Sequence, residues 1–184
     1  MLKKSKHPIQ SGFPIFEQKI VKYRILFLAL FFCTICSYAQ LDTTAPYKRF
    51  PSIPPIQLTQ LDNSLLTKEK LNKNQASIIM YFSPDCDHCQ HQMTDMIKRI
   101  KDLEKFQIIL ATYESEQKIA SFYKNFQLAN YPNIYLGRDA KFLLPPFFRI
   151  RNFPYLALYD KKGKLVRTFE GNVKVDDMLK AFKN

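Results

Sequence analysis

The chain has 184 residues, 46% of them hydrophobic, four cysteines, no tryptophan and a formal net charge of +12. That is enough sequence for one globular domain with a full core, and no stretch is low-complexity or internally repeated. Residues 40–184 carry 22 basic and 15 acidic groups. Those charges are scattered, which argues for a solvated basic surface and against a nucleic-acid partner.

Residues 1–39 read as a signal peptide or a short N-terminal anchor. Lys3, Lys4, Lys6, Lys19, Lys22 and Arg24 form a basic leader, and residues 25–36 are an apolar run of secretory-signal length. Ser37-Tyr38-Ala39 supplies small residues at the −3 and −1 positions of a cut before Gln40. The run is too short to span a bilayer comfortably. Cys33 and Cys36 sit inside it and read as small apolar filler. Cys86 and Cys89 remain for the domain. One closely spaced pair in an exported chain is no disulfide scaffold, and closing so short a loop adds little stability, so the pair points to chemistry.

Residues 40–55 read as an extended lead-in, with Pro46, Pro51, Pro54 and Pro55. Ile56–Leu61 alternates like a half-buried strand, and Thr67 is placed to cap a short helix over 68–71. Ile78-Ile79-Met80-Tyr81-Phe82 is apolar throughout, as in a strand covered on both faces. Ser83-Pro84-Asp85 turns the chain. Met93, Met96, Ile97, Ile100 and Leu103 then recur at helical spacing, to about Lys105.

Cys86-Asp87-His88-Cys89 therefore lies where a strand hands over to a helix N-terminus. First-turn N–H groups and the helix dipole favour a thiolate there, and the thiolate is the nucleophile. Cys86 is the expected outer, attacking sulfur. Cys89, one turn on, is the expected buried sulfur that resolves a mixed disulfide. Protonated His88 would favour the thiolate, while Asp87 and Asp85 would oppose it.

Further on, Gln107–Thr112 reads as a second buried strand. Ser115 opens a helix with Ile119, Phe122, Tyr123 and Phe126 on one face. Ile134–Leu136 reads as a short extended piece, and Ala140–Phe148 as a helix broken by Pro145-Pro146. Tyr155–Tyr159 and Leu165–Glu170 form a hairpin around Asp160–Gly163. Asp176–Phe182 closes the chain as a helix with Met178, Leu179 and Phe182 inward. The order predicts an α/β domain over residues 56–184, its mixed central sheet flanked by helices and its site at the carboxyl edge of the parallel strands.

The segment Phe82-Ser83-Pro84-Asp85-Cys86-Asp87-His88-Cys89, followed downstream by Phe153-Pro154-Tyr155-Leu156-Ala157-Leu158-Tyr159 and the Asp160-Lys161-Lys162-Gly163 turn, resembles the thioredoxin superfamily. It is most similar to the exported TlpA/ResA-like thiol–disulfide oxidoreductases. The resemblance implies a three-layer thioredoxin-like fold and disulfide exchange with protein substrates, more as reductase than as oxidant. It implies no cofactor beyond the Cys86–Cys89 disulfide. It also implies a location in the periplasm or on the outer face of the inner membrane, with a membrane electron donor. A monomer is expected. Pro154 stands where the family has a cis proline, with Phe153 before it as a substrate-pairing position. Two departures stand out. Asp85 occupies the position of the usual tryptophan, and Met80 that of the buried acid which relays a proton to the second cysteine.

Two other readings compete. A peroxiredoxin-like thiol peroxidase would use Ser83 as its hydroxyl, but Ile79 stands where its motif needs proline. A metal-binding thioredoxin-fold protein could draw on Cys86, Cys89, His88 and His91. On a helix, however, the histidines aim away from the Cys86–Cys89 line, and no second ligand cluster exists, so no metal is expected.

Overall fold

The computed structural model describes residues 23–24 and 44–183. The leader expected over residues 1–39 lies outside the described residues except for Tyr23 and Arg24. Residues 44–184 form one compact unit, and their centre is set by two strands with no polar face. Strand β3, Ser77–Tyr81, and strand β4, Gln107–Thr112, are buried at every position. Alternation sends their side chains into two separate cores. Ile78, Met80 and Phe82 enter one, with Cys89, Met93 and Met96. Ile79 and Tyr81 enter the other, with Ile109, Tyr155, Ala157 and Tyr159.

The sheet has seven strands in the order β2-β1-β5-β4-β3-β6-β7. Here β1 is Gln57–Thr59, β2 Leu65–Thr67, β5 Ile134–Arg138, β6 Tyr155–Tyr159 and β7 Leu165–Glu170. β3, β4 and β5 run parallel; β6 and β7 continue antiparallel on one side and β1 and β2 on the other.

Helices cover both faces, which makes three layers. Helix α2 (Asp87–Lys98), helix α4 (Glu116–Asn125) and helix α6 (Val175–Ala181) supply Met93, Met96, Ile119, Phe122 and Met178 to the first core. Short helices α1 (Pro46–Arg49) and α5 (Leu144–Phe148) close the second, where the Tyr47 and Phe148 rings meet at 5.9 Å. The mixed sheet flanked by helices is the expected α/β architecture.

Several local expectations need correction. Leu65–Thr67 is a strand, so Thr67 ends β2, and its side chain makes no capping bond to the 3-10 turn at Lys68–Lys70. Pairing decides this: Leu66 is buried opposite Leu58. The helix expected to reach Lys105 breaks at Arg99, whose guanidinium pairs with Asp102 and Asp176, and resumes as α3, Ile100–Leu103. Ile134–Arg138 is a full parallel strand rather than a fragment.

The lead-in is not simply extended. Pro46 opens α1, where its missing N–H is no loss. The next residues strap onto the β6–β7 hairpin, with Ile53 N–H donating to Gly163 O at 3.1 Å and Leu165 N–H to Pro51 O at 2.8 Å. α5 accepts Pro145 and Pro146 because both fall in its first turn.

Candidate active site

β3 ends at Tyr81, and Phe82 N–H still donates to Ala111 O at 3.0 Å, so the chain leaves the sheet in register. It then turns. Cys86 N–H closes the turn on Ser83 O at 3.1 Å, and Gln90 Nε2 donates to Pro84 O at 2.8 Å. Cys86 is the N-cap residue of α2, with extended backbone at φ −86° and ψ 116°. Cys86 is half-buried at this helix N-terminus, and its side chain makes no capping hydrogen bond to the first-turn N–H groups.

Cys89 lies one turn further and is 0% exposed, in the same core as Met80 and Met93. The two sulfurs are hydrogen-bond neighbours, and both are free thiols. Burial pushes the Cys89 thiol up to about 12; a backbone N–H from Ser83 opposes this, and the neighbouring Cys86 adds to it. The pair is therefore asymmetric, with one sulfur reachable and the other held protonated behind it.

His88 and Asp87 occupy the exposed first turn of α2. The His88 carbonyl accepts a hydrogen bond from Asn172 Nδ2 at 2.7 Å.

Phe153 and Pro154 come to the same place. β6 runs antiparallel to β3 with Tyr155 opposite Tyr81, so Pro154 falls level with Phe82 on the carboxyl edge. The Phe153–Pro154 peptide is cis, as the resemblance implied. Gly171 N–H donates to Pro154 O at 2.8 Å, and the Phe153 ring lies 5.9 Å from that of Tyr81. Among the described residues the Phe153 backbone has no hydrogen-bond partner.

Three supports escaped the sequence reading. Gln92 is fully buried, its amide clamped to the Val173 backbone. A signal existed, since a polar residue interrupts the Cys89, Met93, Met96 stripe at helical spacing. Glu114 Oε1 accepts a hydrogen bond from Ser83 Oγ at 3.4 Å. Lys118 Nζ bridges Asp85 at 2.6 Å and Glu114 at 3.0 Å. Asp85 and Glu114 hold the Lys118 ammonium well above its usual range. Beside this network lies a polar cavity of about 370 Å³, lined by Pro84, Asp85, Gln90, Gln117, Lys118 and Phe122 among others. Met80 is buried, and the carboxylates of Asp85 and Glu114 lie at the turn, one on Lys118 and the other on Lys118 and Ser83. Among the described residues no group of three or more His, Cys, Asp and Glu side chains is placed to hold a metal ion.

Solved structures with the same architecture include a Neisseria meningitidis chain assigned provisionally as a thioredoxin. It is 20% identical, with a TM-score of 0.59, over 71% of this chain and 89% of its own. The exposed lipoprotein thioredoxin of Streptococcus pneumoniae is 22% identical, with a TM-score of 0.56, over 71% and 98%. A secreted Mycobacterium tuberculosis disulfide oxidoreductase, homologous to DsbE of E. coli, is 12% identical, with a TM-score of 0.58, over 70% and 95%. The chain has a thioredoxin-like fold. No family model and no curated protein sequence matches it. Within the thioredoxin-like fold, Cys86 and Cys89 occupy the strand–turn–helix junction, and Pro154 faces it from the next strand.

Proposed function

We propose that this protein is an exported thiol–disulfide oxidoreductase that reduces disulfides of protein substrates through Cys86 and Cys89. The observation that carries the reading is the asymmetry of the pair: a reachable Cys86 sulfur at a helix N-terminus, with a buried Cys89 thiol in contact behind it.

The Cys86 thiolate attacks one sulfur of a substrate disulfide. An S–S bond forms between Cys86 and that sulfur, and the other substrate sulfur leaves as thiolate and takes up a proton. Cys89 gives up its proton to solvent or a nearby base and attacks Cys86. The mixed disulfide breaks and the second substrate thiolate departs. Two electrons have passed from the protein dithiol to the substrate, and the protein holds a Cys86–Cys89 disulfide. A dithiol electron donor at the membrane returns the two electrons. The unpaired Phe153 backbone beside the site offers an N–H and a C=O to an extended substrate strand.

Export rests on the leader pattern of residues 1–39, and two of the neighbours are described as exposed or secreted. Among the described residues no helix is long and apolar enough to cross a membrane.

The test is the redox equilibrium of the pair in glutathione buffers, read by alkylation and mass. A potential near or below about −250 mV supports a reductase, and one near about −120 mV makes the protein a disulfide donor. If no disulfide forms between Cys86 and Cys89, the exchange mechanism is wrong.

A further inference from the structure

Two large apolar side chains stand exposed on the edge that carries Cys86. Tyr113 is 42% and Phe142 52% exposed, and their rings meet edge to face at 5.8 Å. Tyr113 follows directly on β4 and Phe142 lies in the turn after β5. Both strands run parallel to β3, so both residues leave the sheet at the end where Cys86 does. Glu114, next to Tyr113, accepts the Ser83 hydroxyl hydrogen bond, and Ser83 O accepts the Cys86 N–H. The aromatic pair therefore borders the reactive turn.

Phe142 is held there against its own preference. Its φ of 52° is in the left-handed region, which a bulky residue rarely adopts. Asp139 enforces it. Its carbonyl accepts Phe142 N–H at 3.0 Å, and its buried carboxylate accepts Leu143 N–H at 3.0 Å and Leu144 N–H at 2.9 Å. Strain of this kind persists only where the surroundings over-determine it, and it collects at binding sites.

The exposed charge on residues 138–152 has one sign, while Glu114 beside Tyr113 is paired with Lys118. Arg138, Lys141 and Arg151 are exposed on the same segment and make no ion pair among the described residues. Arg138 Nε donates to Tyr113 O at 3.4 Å, which sets its guanidinium beside the aromatic pair. The one acid of residues 138–152, Asp139, is buried and committed to its backbone bonds.

We infer that this rim selects polypeptide disulfides flanked by an apolar side chain and acidic residues. The apolar side chain seats on Tyr113 and Phe142, and the carboxylates face Arg138, Lys141 and Arg151. This deepens the exchange reading and rests on it. Attraction of this kind raises the association rate and fades with salt.

The test mixes the reduced full chain with three oxidants and follows loss of free thiol. One is hydroxyethyl disulfide, which carries no charge and no peptide. The others are two cystine peptides with leucine beside the disulfide, one flanked by aspartates and one by lysines. The aspartate peptide should react about tenfold faster than the lysine peptide at low ionic strength, and the gap should close in high salt. R138Q with K141Q and R151Q should remove that preference. F142N with Y113S should lower the peptide rate about tenfold relative to the hydroxyethyl disulfide rate. Asparagine tolerates positive φ, and the three charge changes are all at exposed positions, so at least one variant set folds. Equal rates for the two peptides, with hydroxyethyl disulfide still reduced, overturn the inference alone. No reaction with any of the three overturns the exchange reading beneath it.

Discussion

Gln92 and Val173 are bound to each other twice. Gln92 Nε2 donates to Val173 O at 3.1 Å, and Val173 N–H donates to Gln92 Oε1 at 2.8 Å. This closed pair joins the middle of α2 to the loop before α6, and Asn172 adds its bond to the His88 carbonyl. Gln92→Leu would fill the volume but leave the part-buried Val173 N–H and C=O without their protein partner, at a cost of up to about 1–3 kcal/mol each. We expect Gln92→Leu to lower the urea midpoint with an unchanged slope. A midpoint equal to wild type would show that water replaces the clamp without loss.

The buried Cys89 thiol makes the reduced protein sensitive to alkali. Its folded pKa is pushed up to about 12 from an ordinary 9.0, chiefly by burial. The folded state keeps a proton that the unfolded chain releases. The contribution is therefore intact below about pH 9 and is lost progressively towards about pH 12. The stability gap between reduced wild type and Cys89→Ala should shrink by about 1 kcal/mol between pH 8 and pH 10. Tyr81, Tyr155 and Tyr159 are also raised by burial, but they are common to both proteins and drop out of the difference. A gap that stays constant over that interval would mean that Cys89 ionises as easily folded as unfolded.

The strand, turn and helix around Cys86 were legible because each announces itself locally. Ile78–Phe82 has no polar residue, Ser83-Pro84-Asp85 is turn chemistry, and the helix repeats its apolar face. Pro154 was legible only through resemblance, since its place depends on β6 pairing with β3. β2 was hidden because three residues show no period, and Leu66 is buried only through its partner Leu58. Gln92 with Val173, Ser83 with Glu114 and Tyr113 with Phe142 are far apart in sequence, and no local pattern joins them. Arg99, where α2 ends early, pairs with Asp176, another distant partner.

Gly137 sits on β5 where β1 packs closest. A methyl group added there would meet Leu58 Cβ at 2.8 Å and Thr59 O at 3.1 Å, the second a backbone atom that cannot swing aside. The glycine serves close approach of the backbone. Gly137→Ala should cost about 1–3 kcal/mol by overpacking. Hydrogen exchange should localise the damage to β1 and β2, while the β3–β4 pair keeps its protection. A change spread evenly over the sheet would argue against a local clash.

Lys118 governs the charge that Cys86 meets. Its ammonium joins Asp85, the residue before Cys86, to Glu114, which in turn accepts the Ser83 hydroxyl. Lys118→Gln removes the cation and leaves the carboxylate of Asp85, the residue before Cys86, uncompensated. Lys118 and Asp85 are exposed while Glu114 is mostly covered and keeps its bond from Ser83, so the fold should lose little. The effect belongs to reactivity: negative charge next to Cys86 disfavours its thiolate. Iodoacetamide, a neutral reagent, should alkylate Cys86 about twofold more slowly in Lys118→Gln at low salt, with the difference fading in 0.5 M salt as screening shortens the field. Adding Asp85→Asn to the variant should restore the wild-type rate, because the uncompensated charge is then gone. If Lys118→Gln reacts as fast as wild type at low salt, the bridge is an ornament of the surface. If the double variant stays slow, the lysine acts through Glu114 and Ser83 instead.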